Sequence, residues 1–223
     1  MMNVSKGNMY NFATHTWNPI SGRCIHDCVY CYMKVFPQKE IHLKEKELKT
    51  DLGRGNFIFV GSSTDMFAED VPYEWIKKVL DVCKKFDNKY LFQSKNPERF
   101  LEFVFPPNTI LGTTIETNDM LNYPKYSKAP LPSWRLSAMK KLPREIDKMI
   151  SIEPIMYFES STFALWIHGV LPKFVSIGAD SKNHCLPEPS EEKIKGLIAE
   201  LEMFTEVKIK KNLIRLAPSL WKD

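Results

Sequence analysis

Cys24-Ile25-His26-Asp27-Cys28-Val29-Tyr30-Cys31 sets three thiols within eight residues, at the spacing C-x3-C-x2-C. The next cysteine is Cys83, so the segment offers a metal three thiolates and no fourth of its own. A structural zinc site is closed by four ligands, and a four-iron cluster ordinarily takes four cysteines. Three thiolates on such a cluster leave one iron open to a substrate or cofactor, which points to chemistry rather than bracing. Two other readings stay open. A Cys3His zinc site would recruit His26 or His15, although zinc pairs usually recur further along a chain and no second pair does here. The three cysteines are otherwise plain buried residues.

Outward from this segment the chain alternates strands and helices. Residues 11–16 are predicted as a first strand that runs into the cysteines. Residues 32–49 are helix-prone, with Pro37 interrupting or beginning the helix. Residues 56–60 read as a short buried strand around Phe57-Ile58-Phe59-Val60. Pro72 suits the first turn of a helix. Ile76, Val79, Leu80, Cys83 and Phe86 then recur at helical spacing, which makes Cys83 a core residue rather than a fourth ligand. Residues 90–93 form the next strand, and Asn96 is predicted to cap a helix running from Pro97 to about residue 103. Residues 109–115 are a strand rich in β-branched side chains. Residues 118–134 carry Pro124, Pro130 and Pro132 and read as a long irregular crossover, a lid or partner-facing loop. Strands are predicted at 148–152 and 174–177, with a helix around 160–168 between them. Ser190 is placed to cap a last helix with Ile194, Leu197, Ile198 and Leu201 inward, before a final edge strand at 206–214. This alternation argues for a parallel α/β structure. Six main β/α units, fewer than a closed eight-unit barrel needs, predict an open partial barrel.

The 223 residues suit one domain, and 43% hydrophobic content is enough for a real core. Residues 1–190 are expected as the core, with 191–223 as a C-terminal helix and edge strand completing it. No apolar run approaches bilayer-spanning length, and Met1-Met2-Asn3-Val4-Ser5-Lys6 has no apolar signal core. Together with clustered reduced cysteines, this predicts a cytoplasmic protein with no membrane partner. The formal net charge of +4 is too mild to establish nucleic-acid binding. Lysines crowd residues 34–49, but interleaved glutamates make that stretch a solvated face.

The run Cys24, Cys28, Tyr30, Cys31 resembles the signature of the radical S-adenosylmethionine (SAM) superfamily, in which an aromatic residue commonly precedes the third cysteine. Thr16-Trp17-Asn18-Pro19-Ile20-Ser21-Gly22 is similar to a phage-associated branch that opens on T-W-N-P, as are Ser94-Lys95-Asn96-Pro97 and Ser151-Ile152-Glu153-Pro154. The resemblance touches the chain as separated motifs, from about residue 14 to about residue 180. It implies an open partial (β/α)6 TIM-like barrel with a [4Fe–4S] cluster as metal centre on Cys24, Cys28 and Cys31. It also implies SAM as a cofactor at the open iron, and an electron donor such as a flavodoxin or ferredoxin. Reduction would cleave SAM to a 5′-deoxyadenosyl radical, which abstracts a hydrogen atom.

Active sites of parallel α/β barrels form at the C-terminal ends of the strands. Those ends are polar here: Asn18 and the cysteines, Gly61-Ser62-Ser63-Thr64-Asp65, Ser94 and Lys95, Glu116 and Thr117, Glu153, and Gly178-Ala179-Asp180. Under the resemblance Tyr30 packs near the SAM adenine, or is core. Gly61-Ser62-Ser63 stands where the family often has a G-G-E segment touching the SAM amino group, with only the first glycine kept. Glu116 or Glu153 would accept from the ribose hydroxyls. Lys95 would pair with the SAM carboxylate, or is a solvated loop lysine. Cys185, in Ser181-Lys182-Asn183-His184-Cys185, is a candidate catalytic hydrogen-atom donor to a substrate radical, or an incidental loop thiol.

Basic and aromatic side chains near the end of the chain (Lys208, Lys210, Lys211, Arg215, Trp221) and in the crossover (Tyr123, Tyr126, Trp134, Arg135) suit a nucleic acid or nucleotide substrate. Core packing and surface charge account for the same residues without one, and a peptide or small metabolite is the rival substrate. Two alternatives differ in kind: a non-catalytic iron–sulfur or zinc module that senses redox state or docks a partner, and a lesion lyase resembling the DNA photoproduct repair branch of the superfamily.

Overall fold

The computed structural model describes residues 2–5, 10–37 and 39–221, so Met1 and Lys6 of the N-terminal reading lie outside the described residues. The chain forms two compact units, Met1–His26 with Met33–Gly112, and Asp27–Tyr32 with Thr113–Asp223.

In the first unit β1 (Asn3–Val4), β2 (His15–Trp17), β3 (Ile20–Ser21), β4 (His42–Leu43), β5 (Phe57–Val60), α1 (Tyr73–Cys83) and β6 (Lys89–Gln93) follow one another, and β7 (Thr109–Thr114) begins. Strands β2, β5, β6 and β7 pair in parallel in that order, while β1 joins β2 antiparallel and β3 pairs with β4 apart from them. Ile58, Phe59 and Val60 are all buried, as continuous apolar strands of a covered parallel sheet should be. Helix α1 buries Ile76, Val79, Leu80, Val82 and Cys83, and burial pushes the Cys83 thiol up.

In the second unit come α2 (Pro132–Lys141), β8 (Asp147–Ile152), α3 (Ser160–His168), β9 (Phe174–Ile177), α4 (Glu191–Glu202) and β10 (Glu206–Ile209). The chain leaving β7 runs beside β8, with Ile115 N–H donating to Ser151 O at 2.8 Å. Strands β8, β9 and β10 continue in parallel register. Ser190 caps α4 by accepting from Lys193 N–H at 3.3 Å, and Ile194, Leu197, Ile198 and Leu201 face inward. The parallel α/β class expected from the sequence is present in both units. Among the described residues no helix is long and apolar enough to cross a membrane.

Several boundaries differ from expectation. The strand expected at 11–16 is β2, His15–Trp17, because residues 11–12 are in a turn and Tyr10 stacks on Phe12 at 4.9 Å. Residues 32–49 do not form a long helix. They give two 3-10 turns, Tyr32–Val35 and Glu47–Lys49, around β4. The stretch buries none of its described residues fully, so no apolar face repays helix formation, and His42 pairs instead with Ser21. Asn96 stands at the N-cap position as expected, but the helix it opens, Pro97–Glu102, is 3-10, and its side-chain amide donates to Phe67 O at 3.2 Å rather than capping. The crossover ends earlier than expected, because Pro132 opens α2 in the position where a missing N–H costs nothing. The last strand stops at Ile209, and Lys211–Arg215 turns into a 3-10 helix.

Candidate functional site

The cysteine segment is fastened on both sides of the boundary at His26. Within the first unit His26, 4% exposed, holds Asp65 Oδ2 through Nε2 at 2.8 Å. Asp65 lies in the turn after β5, and its Oδ2 also accepts from Ser94 Oγ at 3.0 Å and Lys95 N–H at 2.8 Å, both just past β6. Burial works to raise the Asp65 pKa. The hydrogen bond and charge of His26, with the Lys95 N–H and the Ser94 hydroxyl, outweigh it and hold the carboxyl below its usual range. Asn18, one residue past β2, accepts from Ser63 N–H at 2.9 Å and meets Ser62 Oγ at 3.2 Å. Gly61 makes that turn possible at φ +79, a conformation costly for any side chain. The ends of β2, β5 and β6 thus share one hydrogen-bonded surface. Ser63 Oγ is buried there with no hydrogen-bond partner.

Within the second unit the rest of the segment runs antiparallel to the crossover. Lys128 Nζ meets Asp27 Oδ2 at 2.9 Å, Ser127 Oγ meets Cys28 Sγ at 3.1 Å, and Val29 N–H donates to Tyr126 O at 2.9 Å. Each step forward on one strand is a step back on the other, as in a ladder, although neither stretch is a strand. Tyr30 leaves the series and donates to Glu116 Oε1 at 2.5 Å. Burial, and then the Glu116 charge, push the Tyr30 phenol well above its ordinary range. The crossover is therefore the backing of the cysteine segment.

Glu116 is 0% exposed and Arg135 1%. Arg135 donates to Glu116 Oε2 at 2.9 Å, Thr114 O at 2.7 Å and Pro130 O at 2.6 Å, and also to the Tyr123 hydroxyl. In this arrangement neither Glu116 oxygen faces solvent. Of the two expectations for Tyr123 and Arg135, a nucleic-acid surface or core packing, the second holds, since Tyr123 is 0% exposed and both belong to this buried network. Trp134 is exposed and Tyr126 half-buried. Among the basic residues near the chain end, Lys208, Lys210 and Arg215 are in ion pairs with Glu206, Glu153 and Glu188.

At the ends of β8, β9 and β10, Glu153 takes Lys210 Nζ on Oε2 at 2.6 Å and Asn212 Nδ2 on Oε1 at 2.7 Å. A Cβ on Gly178 would stand 2.7 Å from Glu153 Oε1, so only glycine lets this carboxylate lie against β9. Asp180 accepts from His184 Nδ1 at 2.7 Å and from the His184 and Lys182 N–H groups. Burial alone would raise the Asp180 carboxyl, but these donors hold it lower. Cys185 follows, exposed and at φ +56.

All five cysteines are free thiols; Cys24 and Cys31 are half-buried and Cys28 is buried. Cys31 N–H donates to Cys28 O at 3.1 Å, which closes a turn with both thiols of the C-x2-C pair on it. Soft thiolates of this kind suit zinc or iron–sulfur. Among the described residues no three His, Cys, Asp or Glu side chains stand together as a ready metal site. Sequence reading placed Asp65 among the polar strand ends and His26 as an alternative zinc ligand, but it did not pair them and did not find Ser127. Asp65 had a signal, its place in the polar run after a strand; Ser127 had none, since its partner is 99 residues away.

The sequence model of a family described as protein of unknown function (DUF5131) matches residues 8–157 of the 223. No curated protein matches the chain. Among solved structures it is similar to spore photoproduct lyase complexed with dinucleoside spore photoproduct, with TM-score 0.67 and 12% identity over 94% of this chain and 78% of that one. A double mutant of that lyase with bound AdoMet and the same dinucleoside gives TM-score 0.59 and 13% identity over 92% and 64%. Native anSMEcpe with bound AdoMet and Cp18Cys peptide gives TM-score 0.50 and 14% identity over 87% and 62%. At such identities the likeness is one of fold, and the fold is the α/β partial-barrel type expected from the sequence.

Proposed function

We propose that this chain, which belongs to the DUF5131 family, is a radical SAM enzyme with one [4Fe–4S] cluster on Cys24, Cys28 and Cys31. The observation that carries the reading is the three-thiol segment itself, its last two thiols on one closed turn. The bound cluster would supply the electron that splits SAM into methionine and a 5′-deoxyadenosyl radical. A flavodoxin or ferredoxin in a reducing cytoplasm is the matching electron source.

The chain's own residues are suited to the cofactor. Ser63 Oγ, buried without a partner beside Gly61 and Ser62, would accept from the SAM ammonium group. Lys95, half-buried at the end of β6, would balance the SAM carboxylate. Between the two candidate carboxylates, Glu153 keeps 18% of its side chain exposed and Glu116 none, so Glu153 is the better acceptor for ribose hydroxyls. Tyr30 and Glu116 then hold the cysteine segment from behind.

Anaerobic reconstitution with iron and sulfide, followed by dithionite and SAM, tests the proposal. A reduced-cluster paramagnetic signal perturbed by SAM, with 5′-deoxyadenosine released, is expected. Stoichiometric zinc, or a cluster indifferent to SAM, would replace the enzyme by a redox-sensing or docking module.

The substrate class we favour is a nucleic acid or nucleobase. A lesion-lyase reading is supported by the fold likeness to a lyase complexed with a dinucleoside photoproduct. Exposed Cys185 would serve as its hydrogen donor. Ultraviolet-irradiated oligonucleotide that stays unrepaired by the SAM-active protein would dismiss the lyase reading, and a Cys185→Ala protein with unaltered turnover and product would dismiss that role for the thiol.

A further inference from the structure

We infer that Ser127 sets the reduction potential of the metal centre by donating a hydrogen bond to the sulfur of Cys28, an inference that rests on the cluster reading above. Ser127 is 5% exposed and Cys28 6%, and Oγ and Sγ are 3.1 Å apart. Between a hydroxyl and a thiol either atom can donate. A metal-bound thiolate has no proton, so there the serine must be the donor. Ala129 N–H also donates to the Ser127 oxygen at 3.1 Å, and a hydroxyl that accepts there keeps its own proton to donate. The contacts on either side, Lys128 with Asp27 and Tyr126 with Val29, fix the serine opposite this one cysteine.

Burial gives the contact its weight. At a half-exposed cysteine water can replace a lost donor; at Cys28 there is little room for it. A hydrogen bond draws electron density from the sulfur and so stabilises the extra negative charge of the reduced cluster. Cluster potentials follow hydrogen bonds to sulfur and solvent exposure. In the one-electron reduction from the 2+ to the 1+ state, with the electron taken from an external low-potential donor, the bond therefore raises the potential. Its removal makes the centre harder to reduce.

The test compares wild type, Ser127→Ala and Ser127→Thr after anaerobic reconstitution, without SAM. Iron and sulfide are counted, the midpoint potential is read by redox titration, and exchangeable-proton couplings of the reduced cluster are compared in light and heavy water. The expected result is unchanged iron content in the alanine variant, a potential shifted negative and one strong exchangeable coupling lost. The threonine variant, which keeps the hydroxyl, restores both. An alanine variant with full iron, native potential and native coupling overturns the inference and leaves the cluster reading intact. If the alanine variant takes up no iron, the exchangeable-proton couplings of wild type and the threonine variant decide: one strong coupling in both supports the inference, and no such coupling in wild type overturns it. Wild type that takes up zinc only, or no cluster, overturns the underlying reading and this inference with it.

Discussion

Glu116 and Arg135 form an ion pair at 2.9 Å with both side chains 0% exposed. Such a pair is a weak source of net stability, because desolvation of both charges offsets their attraction, but breaking it is costly. Arg135→Leu should destabilise the fold by about 3–5 kcal/mol, since it strands a buried carboxylate. Urea unfolding measures this. The double change Arg135→Leu with Glu116→Gln should recover part of the loss, and additive effects would show that the two groups do not act as a pair.

Tyr30→Phe removes one donor from Glu116 while keeping the ring. A hydrogen bond to a charged group contributes roughly 1.5–3 kcal/mol, and the variant should lose stability in that range. Its Cys28 and Cys31 should also react faster with an alkylating reagent in the metal-free protein, because the segment has lost an anchor. Peptide mass mapping of alkylation reads this, and unchanged rates would show that the phenol does not restrain the segment.

Asp65 predicts an acid limb. Its folded pKa lies below the unfolded value of about 3.9, so the unfolded chain takes up a proton first. The contribution is therefore fully present above the unfolded value and is lost as pH falls through the lower, folded one. Stability measured from pH 6 down to about pH 3 should fall in wild type, and should fall less steeply in Asp65→Asn. Equal slopes in the two proteins would remove Asp65 as the source.

Gly178→Ala should cost about 1–3 kcal/mol through overpacking, because the new methyl would stand 2.7 Å from Glu153 Oε1 and 2.9 Å from Asn212 Oδ1. Thermal unfolding measures it. Adding Glu153→Ala should relieve part of the cost by emptying the space.

The cysteine spacing and the parallel strands were legible because both are local signals: three thiols on one segment, and short apolar runs such as Phe57–Val60. Residues 32–49 misled because charge alternation mimics a helix face, while the pairing of His42 with Ser21 joins distant positions. Arg135 and Tyr123 misled for a related reason. A basic and an aromatic residue in a proline-rich stretch look solvent-facing until a carboxylate elsewhere, Glu116, proves to be buried with them. The polar strand ends were readable as a set, but Ser127 had no pattern of its own.

The alignment of residues 27–29 with 126–128 also bears on the order of events during synthesis. A nascent chain that has passed its cysteines but not yet reached Tyr126 lacks the residues that meet Asp27, Cys28 and Val29 in the folded protein. Until the ribosome has added roughly a hundred further residues, the separation of Cys28 from Ser127 being 99, Cys28 lacks the hydroxyl that meets its sulfur in the folded chain. A cluster of the kind proposed, inserted only after that point, would meet Cys28 with its serine already in place.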